Sequence, residues 1–140
     1  MKKIIWNDSF SVGVKTMDIQ HKRIISTFNK LVDNVQAHPR SEKVSEVLAE
    51  MVDYACEHFE SEERLLAEHK YPELSQQKAE HSAFRRQAGE FCILALSEDE
   101  QVTHKLLTYL HEWWTAHILY NDKRYTAHIN MEKAKRTLTP

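Results

Sequence analysis

Four stretches of the sequence, each of about twenty residues, repeat apolar side chains at the spacing of an amphipathic helix. An apolar helix face must be buried against another element, and only two glycines and three prolines interrupt the 140 residues. The sequence therefore predicts an all-α fold, an up-down-up-down four-helix bundle with short connections. The four stretches run over residues 18–37, 41–66, 73–95 and 97–117.

The ends of the chain follow a different pattern. Residues 1–17 lack a helical period and are predicted to form an extended N-terminal arm. A shorter, weaker helical pattern at 122–134 predicts a possible short C-terminal helix. We expect residues 1–140 to form a single domain, because a chain of this length buries roughly two-thirds of its unfolded surface.

Side chains suited to helix N-termini stand at the start of three stretches. Asp18 is expected to cap the first helix and Ser41 the second. Ser97 and Glu100 form a capping-box pattern at the start of the fourth. We therefore expect these helices to begin at or directly after those residues.

Charge and hydropathy argue against several classes of partner. The formal net charge is −2 with acidic and basic residues interspersed, so we expect no nucleic-acid partner and no attraction to an anionic membrane. No apolar run approaches the roughly 20 residues that span a bilayer, and the start of the chain lacks the apolar core of a signal peptide. A cytoplasmic location is the expectation that follows.

Histidine is the unusual residue, with nine in the chain. One inward-facing histidine usually finds a local hydrogen-bond partner, but several would need either separate partners or one shared partner. A metal centre is the economical shared partner. Each helical stretch places one histidine within its apolar face: His21, His58, His81 and His117. The others fall in connections or on more exposed positions: His38, His69, His104, His111 and His128.

Two carboxylates accompany these histidines. Glu62 follows His58 by four residues and shares its side of the helix, where a buried carboxylate is costly unless it is paired or binds a metal. Alternatively, Glu62 lies at the edge of the apolar face, with Glu63 exposed beside it. Asp122 follows His117 by five residues, about 140° around a regular helix, so the two meet only if the helix ends or widens into a π-type turn. Otherwise Asp122 is a surface residue near a helix end.

Four imidazoles and two carboxylates exceed the four ligands of a structural zinc site. They suit a two-metal centre, with carboxylates bridging the ions and histidines in the outer positions. Iron is the leading candidate, although ligand type alone does not identify the metal. The ferritin-like di-iron pattern requires Glu-x-x-His pairs, whereas this chain has His-x-x-x-Glu, so that family fits poorly.

Segments along nearly the whole chain resemble the bacterial hemerythrin family. Each segment alone is a weak signal, but their combination in this order and at these spacings is highly specific. The resemblance implies a four-helix bundle that holds a non-haem di-iron centre and binds O2 reversibly. The matching segments are Trp6 with Ser11–Val14 and Met17–Ile24, HFESEE at 58–63, KYPELSQQKAEH at 70–81 and HILYNDKRY at 117–125.

The resemblance also implies a ligand set. The first of two histidine pairs would bind an iron with an open position, and the second pair would bind the other iron. Two carboxylates would bridge the ions (Fe2+/Fe3+) beside a solvent-derived oxo or hydroxo group. The family uses a spacing of five residues between histidine and aspartate, which brings Asp122 to the site. The implied ligands are His21 and His58, then His81 and His117, with Glu62 and Asp122 as bridges.

One position departs from the family pattern. The third helix usually carries His-x-x-x-His, and this chain has Gln77 in place of the first histidine. Either Gln77 or water would then complete the second iron's shell. A glutamine oxygen is generally a weaker donor than imidazole for such a metal, so we expect weaker iron retention or faster autoxidation. The change could also open a second coordination site to small ligands.

Trp114 is a further departure, because many family members have a smaller aliphatic residue near the O2 pocket. Either Trp114 fills the core, or its ring narrows that pocket and slows ligand exchange. Tyr120 and Tyr125 are expected to pack, although either could donate a hydrogen bond near a bridging carboxylate.

Reversible O2 binding is the leading function that the resemblance implies, for storage, scavenging or delivery to an oxygen-consuming enzyme. We expect an oxygen-binding protein rather than an enzyme, as a monomer or a weak homo-oligomer. The alternative is a di-iron enzyme or sensor that acts on peroxide, NO or O2 through the iron site opened by Gln77. A third class, a bundle that lacks metal and acts in packing or binding, conflicts with six intact ligands out of seven.

Overall fold

The computed structural model describes residues 2–37, 42–95 and 100–138. A π-helical segment, His117–Asp122, joins the fourth α-helix to the fifth, and a short 3₁₀ turn, Asp8–Phe10, lies in the N-terminal arm. The α-helices are α1 (Lys15–Ala37), α2 (Glu42–Glu68), α3 (Leu74–Ala95), α4 (Glu100–Ala116) and α5 (Lys123–Leu138). Helix α1 packs on α2 and α4, and α3 packs on the same two helices. The predicted all-α four-helix bundle is confirmed.

The start of α1 differs from the expectation. Helix α1 begins at Lys15, because the carbonyl of Val14 already accepts a hydrogen bond from the N–H of Asp18 at 2.9 Å. The carboxylate of Asp18 instead accepts from the backbone N–H of Val12 at 2.8 Å, which ties the arm to the helix. The prediction that Asp18 is the N-cap is therefore wrong. The other predicted caps, Ser41 and Ser97, lie outside the described residues.

The C-terminal helix is longer than predicted and is continuous with α4. The residues on either side of the π segment, Ala116 and Lys123, both have α-helical backbone angles. A π turn adds a residue to the helical turn, so the apolar positions of α5 are out of phase with those of α4. This shift explains why the sequence pattern at 122–134 looked short and separate.

The core consists of two apolar clusters with a polar layer between them. The large cluster includes Phe28, Phe59, Phe84 and Trp114. The small cluster contains Val12, Met17, Leu66, Tyr71, Tyr125 and Ile129. In α2, for example, Glu62 lies between Phe59 of the large cluster and Leu66 of the small one. Within the described ranges, no helix is both long and apolar enough to cross a bilayer.

Candidate metal centre

The polar layer brings together every residue that the sequence analysis connected with a metal. Each of them is at most 3% exposed. They are His21 from α1, His58 and Glu62 from α2, Gln77 and His81 from α3, and His117 and Asp122 from the π segment. None of the other histidines in the described ranges is buried: His69, His104, His111 and His128. His38 lies outside those ranges.

Glu62 lies between two histidine pairs. Its Oε1 atom is 3.0 Å from Nε2 of His81 and 3.2 Å from Nε2 of His117. Its Oε2 atom is 3.4 Å from Nε2 of His58 and 3.5 Å from Nε2 of His21. Glu62 is also fully buried, with 0% exposure, so the alternative position at the edge of the apolar face is wrong.

Asp122 also contacts both pairs, through one histidine of each. Its Oδ2 atom is 3.0 Å from Nε2 of His21, and its Oδ1 atom is 3.0 Å from Nε2 of His117. The π segment makes this possible, because it widens the helix between His117 and Asp122. Of the two routes that could bring these side chains together, the structure uses the π-type turn, and Asp122 is not a surface residue.

The proton count shows that the site suits cations. His81 faces the carboxylate of Glu63 with Nδ1 at 3.1 Å and that of Glu62 with Nε2 at 3.0 Å, but a neutral imidazole has only one proton to donate. Both oxygens of Asp122 are buried without a hydrogen-bond partner, although histidine nitrogens lie 3.0 Å away. A cation between these nitrogens and oxygens would satisfy both, and the donor set therefore fits a metal centre.

The donor atoms form two groups. The atoms of each group lie within 4.8 Å of one another, and Glu62 belongs to both groups. We call the pair His21 and His58 the first half of the site, and the pair His81 and His117 the second half. The group of the first half also contains Asp122. Two groups that share a carboxylate have the layout of a two-metal centre.

Electrostatics link the two carboxylates to two of the histidines. Burial works to lower the pKa of His21, but Asp122 and Glu62 outweigh it and raise that pKa to about 9. The pKa of His117 rises against burial to about 10 for the same reason, chiefly through Asp122. Burial also works to raise the pKa of Glu62, but His58 and His117 hold it well below its usual range. Without metal, protons on His21 and His117 thus balance the buried carboxylates, and metal ions would replace these protons.

Two residues orient the histidines, a role that the sequence analysis did not assign to either of them. The Nδ1 atom of His58 lies 2.6 Å from Oε1 of Gln20, whose Nε2 donates to Ser61 at 3.1 Å. Glu63 holds Nδ1 of His81 in the same way, and its side chain is only 19% exposed, so the alternative that left Glu63 exposed is wrong. Both contacts leave Nε2 free to face the site. A search for amides and carboxylates next to predicted ligands could have found both residues.

Gln77 lies in the polar layer, and the nitrogen of its side-chain amide is already hydrogen-bonded. Its Nε2 donates to the backbone carbonyl of Asn121, in the π segment, at 3.1 Å. Its Oε1 is therefore the remaining acceptor, and it is buried without a hydrogen-bond partner. Binding of a metal by this oxygen stays a prediction.

Aromatic rings cover the site on the side of the large cluster. Phe59 stacks on His81 with ring centroids 4.0 Å apart, and Trp113 stacks on His117 with centroids 4.5 Å apart. Trp114 is 0% exposed, and its ring lies 5.8 Å from that of His117. These rings keep water away from the histidines on this side.

Tyr125 borders the site on the side of the small cluster. Its hydroxyl donates to Oε2 of Glu62 at 3.2 Å, and its ring is fully buried. Tyr120, the other tyrosine considered for this contact, is 71% exposed. Tyr125 therefore both packs and fixes the orientation of the shared carboxylate.

The chain is similar to known proteins in both its sequence and its fold. The chain matches the hemerythrin HHE cation binding domain over residues 12–129. It is 34% identical over 134 residues to the bacteriohemerythrin of Stenotrophomonas maltophilia, which covers 93% of this chain and 86% of that protein. It is 32% identical over 125 residues to the bacteriohemerythrin of Pseudomonas aeruginosa, with 89% and 80% covered. A solved structure of wild-type hemerythrin has a TM-score of 0.79 at 26% identity and covers 90% of this chain and 97% of that one. Because the family model spans the polar layer from His21 to Asp122 and the relatives are matched over most of their length, the chain belongs to the hemerythrin family.

Proposed function

We propose that this protein holds two iron ions in the polar layer and binds O2 reversibly, for storage, scavenging or delivery to an oxygen-consuming enzyme. One observation carries the proposal: Glu62 and Asp122 each place one oxygen beside each half of the site. Two carboxylates in this position suit a pair of ions, because a single ion would leave half of the donors unused. The membership of the hemerythrin family supports iron as the metal.

The ligand assignment follows the two halves of the site. We assign His21 and His58 to the iron that keeps an open position, and His81 and His117 to the other iron. When bound, ferrous ions supply the electrons that reversible O2 binding requires. The chain's own residues hold the imidazoles in place, orient the shared carboxylates and exclude water by packing.

Trp114 is proposed to limit the access of O2 in addition to filling the core. Its fully buried ring belongs to the large cluster and also lies 6.2 Å from the ring of His58, in the first half. We expect Trp114→Leu to speed O2 association and dissociation, as measured by flash photolysis or stopped flow. The substitution should also lower the free energy of unfolding by about 2–4 kcal/mol, as other large-to-small core changes do. Unchanged rates at this cost in stability would leave Trp114 with the role of a core residue alone.

Iron content and optical spectra test the proposed function together. Purified protein should contain two irons per chain, and the reduced form should gain a visible charge-transfer band on exposure to O2. That band should disappear when O2 is removed and return when O2 is added again. Fewer than two irons, or a reduced protein whose spectrum is insensitive to O2, would contradict the proposal.

A second candidate function is a di-iron enzyme or sensor that acts on peroxide, NO or O2. The buried, unpartnered Oε1 of Gln77 favours it, since this position leaves the second half without a third imidazole. Catalytic loss of hydrogen peroxide or NO, without a stable reversible O2 spectrum, would select this candidate. Gln77→His should suppress that turnover, whereas Gln87→His, at a half-buried position ten residues further along α3, should not.

A further inference from the structure

A small crevice with room for about one water molecule opens to solvent between α3 and the junction of the π segment with α5. Its lining includes Gln76, Gln77, Glu80, Asn121 and Arg124. Gln77 is 3% exposed and belongs to the polar layer, whereas Gln76 and Arg124 lie at the surface. The crevice therefore leads from solvent towards the second half of the site.

Two observations identify the half that the crevice approaches. Gln77 precedes His81 by four residues on α3, so both side chains lie on one face of that helix. Burial raises the pKa of Glu80, which also lines the crevice, and the two histidines of the second half, His117 and His81, act to lower it.

Two buried acceptors in the crevice lack a hydrogen-bond donor. Oε1 of Gln77 and Oε2 of Glu80 are both buried without a hydrogen-bond partner. They lie three residues apart on one helix, so their side chains are neighbours. The donor group of Gln77 is already bound to the carbonyl of Asn121. A buried acceptor without a donor destabilises the fold, so a ligand that donates hydrogen bonds to both atoms would be bound favourably.

Charge at the rim restricts the ligand further. Of the described residues that line the crevice, Arg124 is the one cation, and its guanidinium is paired with Glu73 at 3.0 Å. The second oxygen of Glu73 accepts from the hydroxyl of Tyr71 at 3.1 Å. Glu80 thus leaves the interior of the crevice with an acidic character, which disfavours anions.

We propose that this crevice binds small neutral molecules that donate two hydrogen bonds, namely water and hydrogen peroxide, and that it is their route to the second half of the site. O2 and NO have no hydrogen to donate, and small anions such as azide are repelled by Glu80. The crevice has room for about one water molecule, which could bridge Gln77 and Glu80. This inference rests on the proposed di-iron function, because the route matters only if metal ions occupy the polar layer.

A variant that fills the mouth of the crevice tests the proposal. Gln76→Phe adds a ring at an exposed lining position and leaves Gln77 and Glu80 intact. The matched control is Lys78→Phe, which adds the same ring at an exposed position of α3 outside the crevice. Circular dichroism would establish that both variants fold.

The first measurement needs no redox activity. Crystals of protein loaded with zinc, which has no redox chemistry, should show a water bonded to Oε1 of Gln77 and Oε2 of Glu80. Soaking with hydrogen peroxide should replace that water, and Gln76→Phe should remove the density in both cases. The absence of any bridging density in the parent protein and the Lys78→Phe control would overturn the proposal.

The second measurement is the rate at which hydrogen peroxide oxidises the reduced iron-loaded protein. Each peroxide takes one electron from each of two ferrous ions and two protons, and gives two waters. Gln76→Phe should slow this reaction about tenfold, equivalent to about 1.4 kcal/mol in the barrier, while O2 binding is unchanged. Lys78→Phe should change neither rate. If two irons and reversible O2 binding persist but peroxide reacts equally fast in all three proteins, the crevice proposal alone fails; if the iron pair is absent, the proposed function fails.

Discussion

The two halves of the polar layer are alike at the centre and different at the edges. In each half two histidine Nε2 atoms face the shared carboxylates, and one histidine has its Nδ1 held by a polar side chain: His58 by Gln20, and His81 by Glu63. The other two histidines, His21 and His117, have buried Nδ1 atoms without a partner. The second half also has Gln77 four residues before His81 on the same helix, and Gln77 lines a crevice that opens to solvent. We infer that the two shared carboxylates determine whether two metal ions bind. The residues at the edge of each half determine the affinity for each ion and which small molecules reach it.

Removing the charge of Glu62, a carboxylate shared by both halves, should have the largest effect on iron binding. Glu62→Gln keeps the shape of the side chain but replaces one anionic oxygen with a donor that cannot bind metal. We expect the iron content to fall from two per chain to below one, because one half loses its carboxylate oxygen and the other keeps only a neutral amide oxygen. Iron analysis of protein that retains its helical circular dichroism measures this.

Glu60→Gln, at an exposed position of the same helix, is the matched control and should retain two irons. A Glu62→Gln protein that still holds two irons would show that Asp122 alone is enough to bridge the pair. It would contradict the claim that both carboxylates are required.

Removing one orienting residue at a time should separate the halves. Gln20→Leu should weaken iron binding in the first half, and Glu63→Leu should weaken it in the second, each by about 10–100-fold, as loss of such contacts does at other metal sites. Stepwise removal of iron by a competing chelator would resolve one weakened and one ordinary site in each variant. Equal weakening of both sites in both variants would show that the halves do not act separately.

Restoring a histidine in the second half should have a moderate effect. Gln77→His supplies an imidazole where the amide oxygen now stands. We expect autoxidation and iron loss to become about tenfold slower, which corresponds to roughly 1.4 kcal/mol of added stabilisation of the bound iron. The visible spectrum of the oxygenated protein, followed over time, gives the autoxidation rate. Because Gln77 also donates to Asn121 in the π segment, thermal unfolding of the variant should be measured alongside. An unchanged autoxidation rate would contradict the role of position 77.

The smallest effect is the pH dependence of stability in the metal-free protein. One histidine of each half is expected to carry a proton there. The pKa values of His21 (about 9) and His117 (about 10) are raised above the ordinary 6.5, so their ion pairs stabilise the fold fully below pH 6.5. That stabilisation is lost as the pH rises through 9 to 10. The melting temperature of metal-free protein should therefore fall by a few degrees between pH 7 and pH 10, whereas iron-loaded protein should not show this fall. Equal pH dependence of the two forms would contradict the exchange of protons for metal.

The helices and the four buried histidines of the polar layer could be predicted from the sequence, because a histidine in an apolar stripe stands out against its neighbours. Asp122 could be placed at the site only on the condition that the helix ends or widens after His117. A π turn leaves no signal in the sequence except that the five-residue spacing from His117 to Asp122 does not fit a regular helix. Gln20 and Glu63 were missed because they lie beside the stripes and act through the far side of an imidazole ring. Their contacts depend on how neighbouring helices pack, which periodicity along one helix does not specify.

The most direct test of the central claim is the position of iron in the protein. An anomalous-difference map from crystals of iron-loaded protein should show two peaks about 3.5–4 Å apart, as in other two-metal sites. One peak should lie beside His21 and His58 and the other beside His81 and His117, with Glu62 and Asp122 each reaching both. A single peak, or iron bound outside the polar layer, would contradict the account.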